Sequence, residues 1–314
     1  MRRVLVTGAT GFVGRALCET LSNCGYRVRA SLHLERSLPD WISEKVPVGD
    51  IGAATDWKEA LAGVSMVVHL AARAHILHDS AAASYVETNA EGTRRLADES
   101  ARAGVRRFLY LSSVKVNGEA TPDGAYTSSD EPHPLDDYGK SKWSAEMHVR
   151  RIAASSAMDA VIVRPPLVYG PGVRANFLRL MRMVDSGWPL PLGAIDNRRS
   201  LVSIWNLCDF LTRALEHPLA SNRTWMVSDG EDLSTPDLIR RLGHAMGKRV
   251  RCIPVPVSVL KLIGALTGKK AELDRLCGSL AVDMAPTCRE LEWTPPLSVD
   301  ESLARTVQWY RSAR

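Results

Sequence analysis

The stretch Val4-Leu5-Val6 runs directly into Thr7-Gly8-Ala9-Thr10-Gly11-Phe12-Val13-Gly14, and Arg15-Ala16-Leu17-Cys18-Glu19-Thr20-Leu21 follows with helical spacing. Strand, glycine turn and helix in that order restrict the chain more than any other feature. Gly8 permits the tight turn, Gly11 lets backbone amides approach a diphosphate, and Gly14 lets the helix pack close to the sheet. The diphosphate then lies at the positive end of the helix. The turn therefore predicts a bound dinucleotide, with Gly8, Thr10, Gly11, Phe12, Val13 and Gly14 as its contacts.

Short β-rich runs at 4–6, 27–31, 45–48, 66–70, 108–111 and 160–163 alternate with helical stretches, which is the rhythm of a parallel sheet. One such stretch predicts a helix over 86–103, ended by Gly104. After Arg164-Pro165-Pro166 the chain turns to proline- and glycine-rich pieces and shorter helices. The expected fold is α/β, a Rossmann-like doubly wound parallel sheet over 1–168 with a smaller C-terminal α/β substrate domain over 169–314. The segment 200–229 is expected to return to the first domain.

The chain has 314 residues, 45% hydrophobic and 24% charged, which excludes a disordered or fibrous protein. Its net charge of +5 is spread in pairs such as Arg2-Arg3 and Arg198-Arg199, so no nucleic-acid partner is indicated. The six cysteines form no C-x-x-C pair and read as reduced thiols. The apolar run 257–266 is interrupted by Lys261 and is too short to span a bilayer. A soluble cytoplasmic protein with no membrane partner is expected.

Ribose recognition calls for an acid at the end of the second strand, but that strand ends Ser31-Leu32-His33. Glu35 falls slightly late, while Arg29, His33 and Arg36 are placed to meet a 2′-phosphate, so NAD(P) is expected with NADP favoured over NAD. Asp50 and Ile51, after the third strand, are set to meet the adenine edge.

Tyr138-Gly139-Lys140-Ser141-Lys142 opens a helix, and residues four apart share a face, so Tyr138 and Lys142 point the same way. A phenol of pKa roughly 10 becomes a useful acid/base when a neighbouring ammonium and an oxidised nicotinamide favour its phenolate. Ser113, at the end of the fifth strand, is placed to hydrogen-bond the same substrate oxygen. His75-x-x-His78 lacks further ligands in spacing, so no metal is expected; no G-x-S-x-G elbow or P-loop is present.

Thr7-Gly8-x-x-Gly11-x-x-Gly14, His69-Leu70-Ala71-Ala72, Asn89, Ser112-Ser113 and Tyr138-x-x-x-Lys142 together resemble the extended short-chain dehydrogenase/reductase family, and within it the nucleotide-sugar enzymes related to UDP-glucose 4-epimerase. The segments 69–75 and 227–236 are similar to members that build O-antigen sugars for lipopolysaccharide, including 4-keto reductases. The resemblance implies Tyr138 as acid/base, Lys142 on the nicotinamide ribose, and Ser113 on the sugar oxygen. Leu70, Ala71, Ala72, Asn89, Pro165 and Val168 would line the cofactor. Asn176, Phe177, Leu192, Arg199 and Arg275 would bind a UDP-sugar, with Leu190-Pro191-Leu192 forming a strand beside the uracil. It also implies a homodimer through the helices from Val86 and Tyr138.

The departures narrow the chemistry. Val114-Lys115 replaces the Asp-Glu pair of the 4,6-dehydratases, and Val114 replaces a cysteine used by fucose-synthase-like members. Leu167 replaces an asparagine that the epimerases place near the substrate phosphates. Chemistry at carbon 4 of a UDP-hexose or UDP-HexNAc remains: 4-keto reduction is the favoured expectation, a 4-epimerase with tightly held NAD the alternative, and a non-catalytic dinucleotide sensor the reading from another class.

Overall fold

The structure, a computed structural model, describes residues 2–33, 42–74, 81–121 and 124–313. Seven strands form one parallel sheet: β1 (Arg3–Thr7), β2 (Arg27–Leu32), β3 (Glu44–Pro47), β4 (Met66–His69), β5 (Arg107–Leu111), β6 (Asp159–Arg164) and, after the short pair β7 (Leu167–Tyr169) and β8 (Leu201–Ser203), β9 (Arg223–Met226). Their order across the sheet is β3-β2-β1-β4-β5-β6-β9, while β7 and β8 pair separately. The order reverses between β1 and β4, and in doubly wound sheets the crevice at the carboxyl ends of such neighbours is where ligands bind.

Alternation along each strand divides the core between two faces. Val4 and Val6 of β1 pack with Leu17, Leu21, Leu207 and Phe210 from the helices Phe12–Asn23 and Ile204–Glu216. Leu5 packs the other way, with Leu96 and Val149 from the helices Gly92–Arg102 and Asp137–Ala154. The sheet is thus covered on both sides, a Rossmann-like α/β fold. A separate core gathers Tyr169, Phe177, Met181, Leu192, Ile239, Leu303 and Tyr310. Within 200–229, the helix Ile204–Glu216 joins the first core and β9 lies beside β6.

Two local expectations are corrected. The helix expected over 86–103 is built in two pieces, one π-helical turn over Val86–Glu91 and the α-helix Gly92–Arg102, and is preceded by a further helical segment, Ala81–Tyr85. The hydrophobic period does not mark an inserted residue, which widens the turn without changing the buried face. The strand expected at 190–192 is a single bridge from Leu190 to Cys252, followed by one hydrogen bond from the Gly193 amide to the Ile253 carbonyl, because Pro191 has no N–H and the chain then turns.

Candidate active site

The glycine turn is dictated by backbone proximity. Gly8 has φ +69°, and a Cβ there would stand 2.8 Å from the Ala71 amide nitrogen. At Gly14 a Cβ would fall 2.0 Å from the Gly8 carbonyl oxygen, and at Gly11 3.1 Å from the same atom. The helix Phe12–Asn23 begins at Gly11 with no side-chain cap and no acid in its first turn. Its leading N–H groups need an acceptor and nothing local repels an anion, so a dinucleotide's diphosphate fits this cradle. Phe12 packs against both the first and the second core, while Thr10 accepts a hydrogen bond from Arg15 Nε at 3.1 Å through its carbonyl.

A buried relay connects this turn to the next crossover. The Leu70 and Ala71 amides donate to Thr7 Oγ1, each at 3.2 Å, and Thr7 Oγ1 lies 2.6 Å from His69 Nδ1. His69 Nε2 lies 2.8 Å from Thr93 Oγ1, which donates to the Asn89 carbonyl at 2.6 Å. Since Thr93 spends its proton on that carbonyl, His69 must donate from Nε2 and accept at Nδ1 from Thr7. Burial, helped by the Lys142 charge, pushes the imidazole down to about 3, so it stays neutral.

Asn89 then ties the relay to the helix Asp137–Ala154. Its Oδ1 accepts from the Arg73 amide at 2.8 Å, and its Nδ2 donates to the Arg73 carbonyl and to Ser141 Oγ, both at 3.0 Å. Asp136 caps that helix by accepting from the Gly139 amide at 2.7 Å. Lys115, from the turn that Ser113 caps, pairs with Asp136, so the Ser113 turn and the start of the Tyr138 helix are fastened together.

Tyr138, Lys142 and Ser113 meet at the carboxyl end of β5. Lys142 Nζ donates to the Leu111 carbonyl at 2.8 Å, and lies 5.9 Å from the Tyr138 ring centroid and 4.7 Å from that of Tyr110. Burial drives the lysine down to about 7, against the opposing pull of Glu146. The phenol of Tyr138 is pushed up by burial first and then by the charges of Asp136 and Tyr85. In the protein alone burial dominates the phenol, and the lowering expected from Lys142 does not offset it.

One element of the site was not anticipated. Glu146, fully buried, accepts from Ser112 Oγ at 2.5 Å and from Arg164 Nε and Nη2 at 2.9 and 2.6 Å, while Arg164 Nη1 donates to Asn117 Oδ1 at 3.0 Å. The ends of β5 and β6 are thereby pinned to the helix bearing Tyr138. The available signal was an acid four residues past Lys142, on a face already carrying Tyr138.

On β2 the structure commits Arg29, expected beside a 2′-phosphate, to other partners. Its Nε donates to Glu44 at 2.5 Å and its Nη1 to the carbonyls of Glu59, Ala60 and Ala62 at 3.0, 3.0 and 2.9 Å. His33 Nε2 and Asp50 Oδ1 stand 3.1 Å apart on the rim, and Ile51 packs partly against the core below. Glu35, Arg36, His75 and His78 lie outside the described residues.

In the C-terminal part, Arg199 Nη1 donates to the carbonyls of Arg275 and Gly278 at 2.6 and 2.9 Å, which places Arg199 beside the Arg275 backbone but spends part of the fork on it. Asn176 is exposed at the start of the helix Ala175–Asp185. The Phe177 ring stacks on Tyr169 at 5.1 Å, and Leu192 is buried in the second core, so packing claims both side chains. Ala72 is exposed, Val168 half-buried, and Pro165 buried with its carbonyl accepting from Val114 at 3.0 Å. A cavity of about 750 Å³ lined by Arg2, Tyr26, Asp209, Arg213 and Trp293 borders none of these residues.

Residues 4–228 match the model of the "NAD dependent epimerase/dehydratase family". The chain is 43% identical over 318 residues to the UDP-glucose 4-epimerase of Vibrio cholerae, covering 99% of this chain and 96% of that protein. It is 28% identical to the N-acetyl-alpha-D-glucosaminyl-diphospho-ditrans,octacis-undecaprenol 4-epimerase of Escherichia coli O157:H7, with 98% and 94% covered. Among solved structures, MoeE5 in complex with UDP-glucose and NAD superposes with a TM-score of 0.79 at 26% identity, over 99% of each chain. With a glycine turn at the switch point of a Rossmann-like sheet and a match spanning most of its length, the chain belongs to the NAD dependent epimerase/dehydratase family.

Proposed function

We propose that the protein is a 4-epimerase of UDP-hexoses or UDP-HexNAcs that retains NAD. The observation that carries this reading is the placement of Tyr138, Lys142 and the Ser113 turn at the carboxyl end of β5, in the same parallel sheet whose first strand feeds the glycine turn. The similarity to a 4-epimerase along nearly the whole chain supports it. NAD held in the glycine turn would supply reversible hydride exchange at carbon 4, and its oxidised ring would add a positive charge that favours the Tyr138 phenolate. Tyr138 accepts the proton of the 4-hydroxyl as that hydride leaves, and gives it back once the keto sugar has presented its other face. Ser113 donates to the same oxygen, Lys142 holds the ribose, and Arg199 with Arg275 meets the diphosphate. Residues 1–168 carry the dinucleotide and 169–314 the sugar nucleotide, with 200–229 returning to the first part. NAD takes precedence over NADP because Arg29 is committed elsewhere and Asp50 stands at the rim. Val86 and Met147, exposed on the two helices expected to pair with a twin, support a homodimer. No described helix is long and apolar enough to cross a membrane, and the six free cysteines fit the cytoplasm.

The second reading, reduction of a 4-keto sugar in O-antigen synthesis, runs the same residues in one direction. It is favoured by His33 standing where a ribose-binding acid is usual, which suits a cofactor that exchanges. Incubating the protein with UDP-glucose and with UDP-N-acetylglucosamine, without added cofactor, tests the choice by NMR of the anomeric signals. A C4 epimer with no net cofactor turnover is expected. Consumption of NADPH by a UDP-4-keto-6-deoxy-HexNAc, with no epimer formed, would replace epimerase by reductase. Bound dinucleotide without any turnover would leave only the sensor.

A further inference from the structure

Val259, Leu262, Ile263 and Leu266 are exposed by 42, 60, 48 and 79% on the helix Val257–Leu266. Their spacing, i, i+3, i+4 and i+7, aligns them in one stripe. The opposite side of the helix carries its packing: Leu260 is buried in the second core, and Gly264 is so close to the helix Lys270–Cys277 that a Cβ would stand 2.8 Å from Leu273 Cδ1. The stripe is therefore apolar surface directed away from the protein, on a helix already anchored from behind. It continues into Ile253, 47% exposed, and approaches Trp188, 73% exposed, because Leu190 hydrogen-bonds backbone to backbone with Arg251 and Ile253.

The charges on the strip itself are of one sign, and the acids that follow it, Glu272 and Asp274, belong to the helix beneath, where Glu272 pairs with Arg179. From 249 to 270 the chain carries Arg249, Arg251, Lys261, Lys269 and Lys270, and no Asp or Glu. All five are exposed, and none has an ion pair among the described residues. Two copies of such a face repel each other, which argues against self-association through it.

We propose that this strip docks the protein on an anionic phospholipid bilayer, the apolar stripe entering the boundary between headgroups and acyl chains while the cations meet lipid phosphates. A ten-residue helix is about 15 Å long, half the hydrocarbon thickness, so the helix lies in the interface and does not span it. Trp188 at the margin suits the same depth, where an amphipathic ring has one apolar and one wet side. Arg275, which the proposed function puts at the substrate diphosphate, belongs to the helix on which the docking helix rests.

Cosedimentation of the full chain with phosphatidylcholine vesicles containing about 30 mol % phosphatidylglycerol, compared with pure phosphatidylcholine vesicles, tests the proposal. Several-fold greater binding to the anionic vesicles is expected, and about 0.5 M NaCl should abolish the difference. Leu262→Ser/Leu266→Ser and, separately, Lys269→Glu/Lys270→Glu should each weaken binding roughly tenfold or more. Both variants should keep the wild-type melting temperature, which separates a lost surface from a lost fold. Indifference of the wild type to phosphatidylglycerol, or equal binding by wild type and the leucine variant, overturns the proposal. So does a change of sedimenting mass in the leucine variant, which would assign the strip to a second copy of the chain.

Discussion

The amide of Asn89 donates to the hydroxyl of Ser141 at 3.0 Å, across 52 residues of chain. Ser141 passes its own proton to the Tyr138 carbonyl at 2.8 Å, so the position of the phenol is coupled to a π-helical turn on another element. Asn89→Ala removes this bond and leaves both backbone groups of Arg73 without their partner. It should cost about 1–3 kcal/mol of stability. Turnover should fall with it, and Ser141→Ala should reproduce part of the turnover loss with a smaller change in melting temperature.

Tyr138→Phe removes only the hydroxyl, and the ring keeps its edge contact with Tyr85 at 6.0 Å. The variant should bind dinucleotide as the wild type does, while kcat drops roughly 10²- to 10⁴-fold. A kcat near the wild-type value would take Tyr138 out of the chemistry.

Lys142 gives the fold a pH dependence whose sign follows from its depressed value. The folded protein releases this proton at about 7, whereas the unfolded chain holds it to roughly 10.4. Between those values the unfolded state binds more protons, so stability falls as pH drops from 10 toward 7 and is level below that. Urea unfolding of wild type and Lys142→Met at pH 7 and 9 checks it. The wild type should gain roughly 2 kcal/mol relative to the variant over that interval.

Glu146→Gln strands the Arg164 guanidinium, which is 1% exposed, without a countercharge. The loss should be about 3–5 kcal/mol, whereas Glu146→Leu combined with Arg164→Met should recover most of it. Urea unfolding of the single and double variants decides between an ion pair that stabilises and one that mainly orients the site.

The glycine turn was legible in the sequence because its requirement is local: at Gly8 and Gly14 the backbone leaves no room for a Cβ, and at Gly11 it leaves little. Tyr138 and Lys142 were legible for a similar reason, since helical period alone puts them on one face. The alternation of strands and helices likewise disclosed the parallel sheet. Contacts made by tertiary folding were not legible. Arg29 has the composition of a phosphate ligand, yet the arrival of residues 59–62 beside β2 turns it into a backbone clasp. Glu146 and Arg164 are 18 residues apart on different elements, and only the docking of the helix Asp137–Ala154 on β6 makes them a pair. Phe177 and Leu192 fit a ligand-contact pattern, but the second core uses the same apolar surface.

The turn over Val86–Glu91 holds one residue more than an α-helical ladder would need. Such an insertion is simple to erase in a gene, and closing the turn to an α-helical one would shift Asn89, which lies inside it, relative to Ser141. Three nucleotides lost there would uncouple the Tyr138 helix from the glycine loop with every chemical group of the site still encoded, a route by which a relative could keep the fold and fall silent.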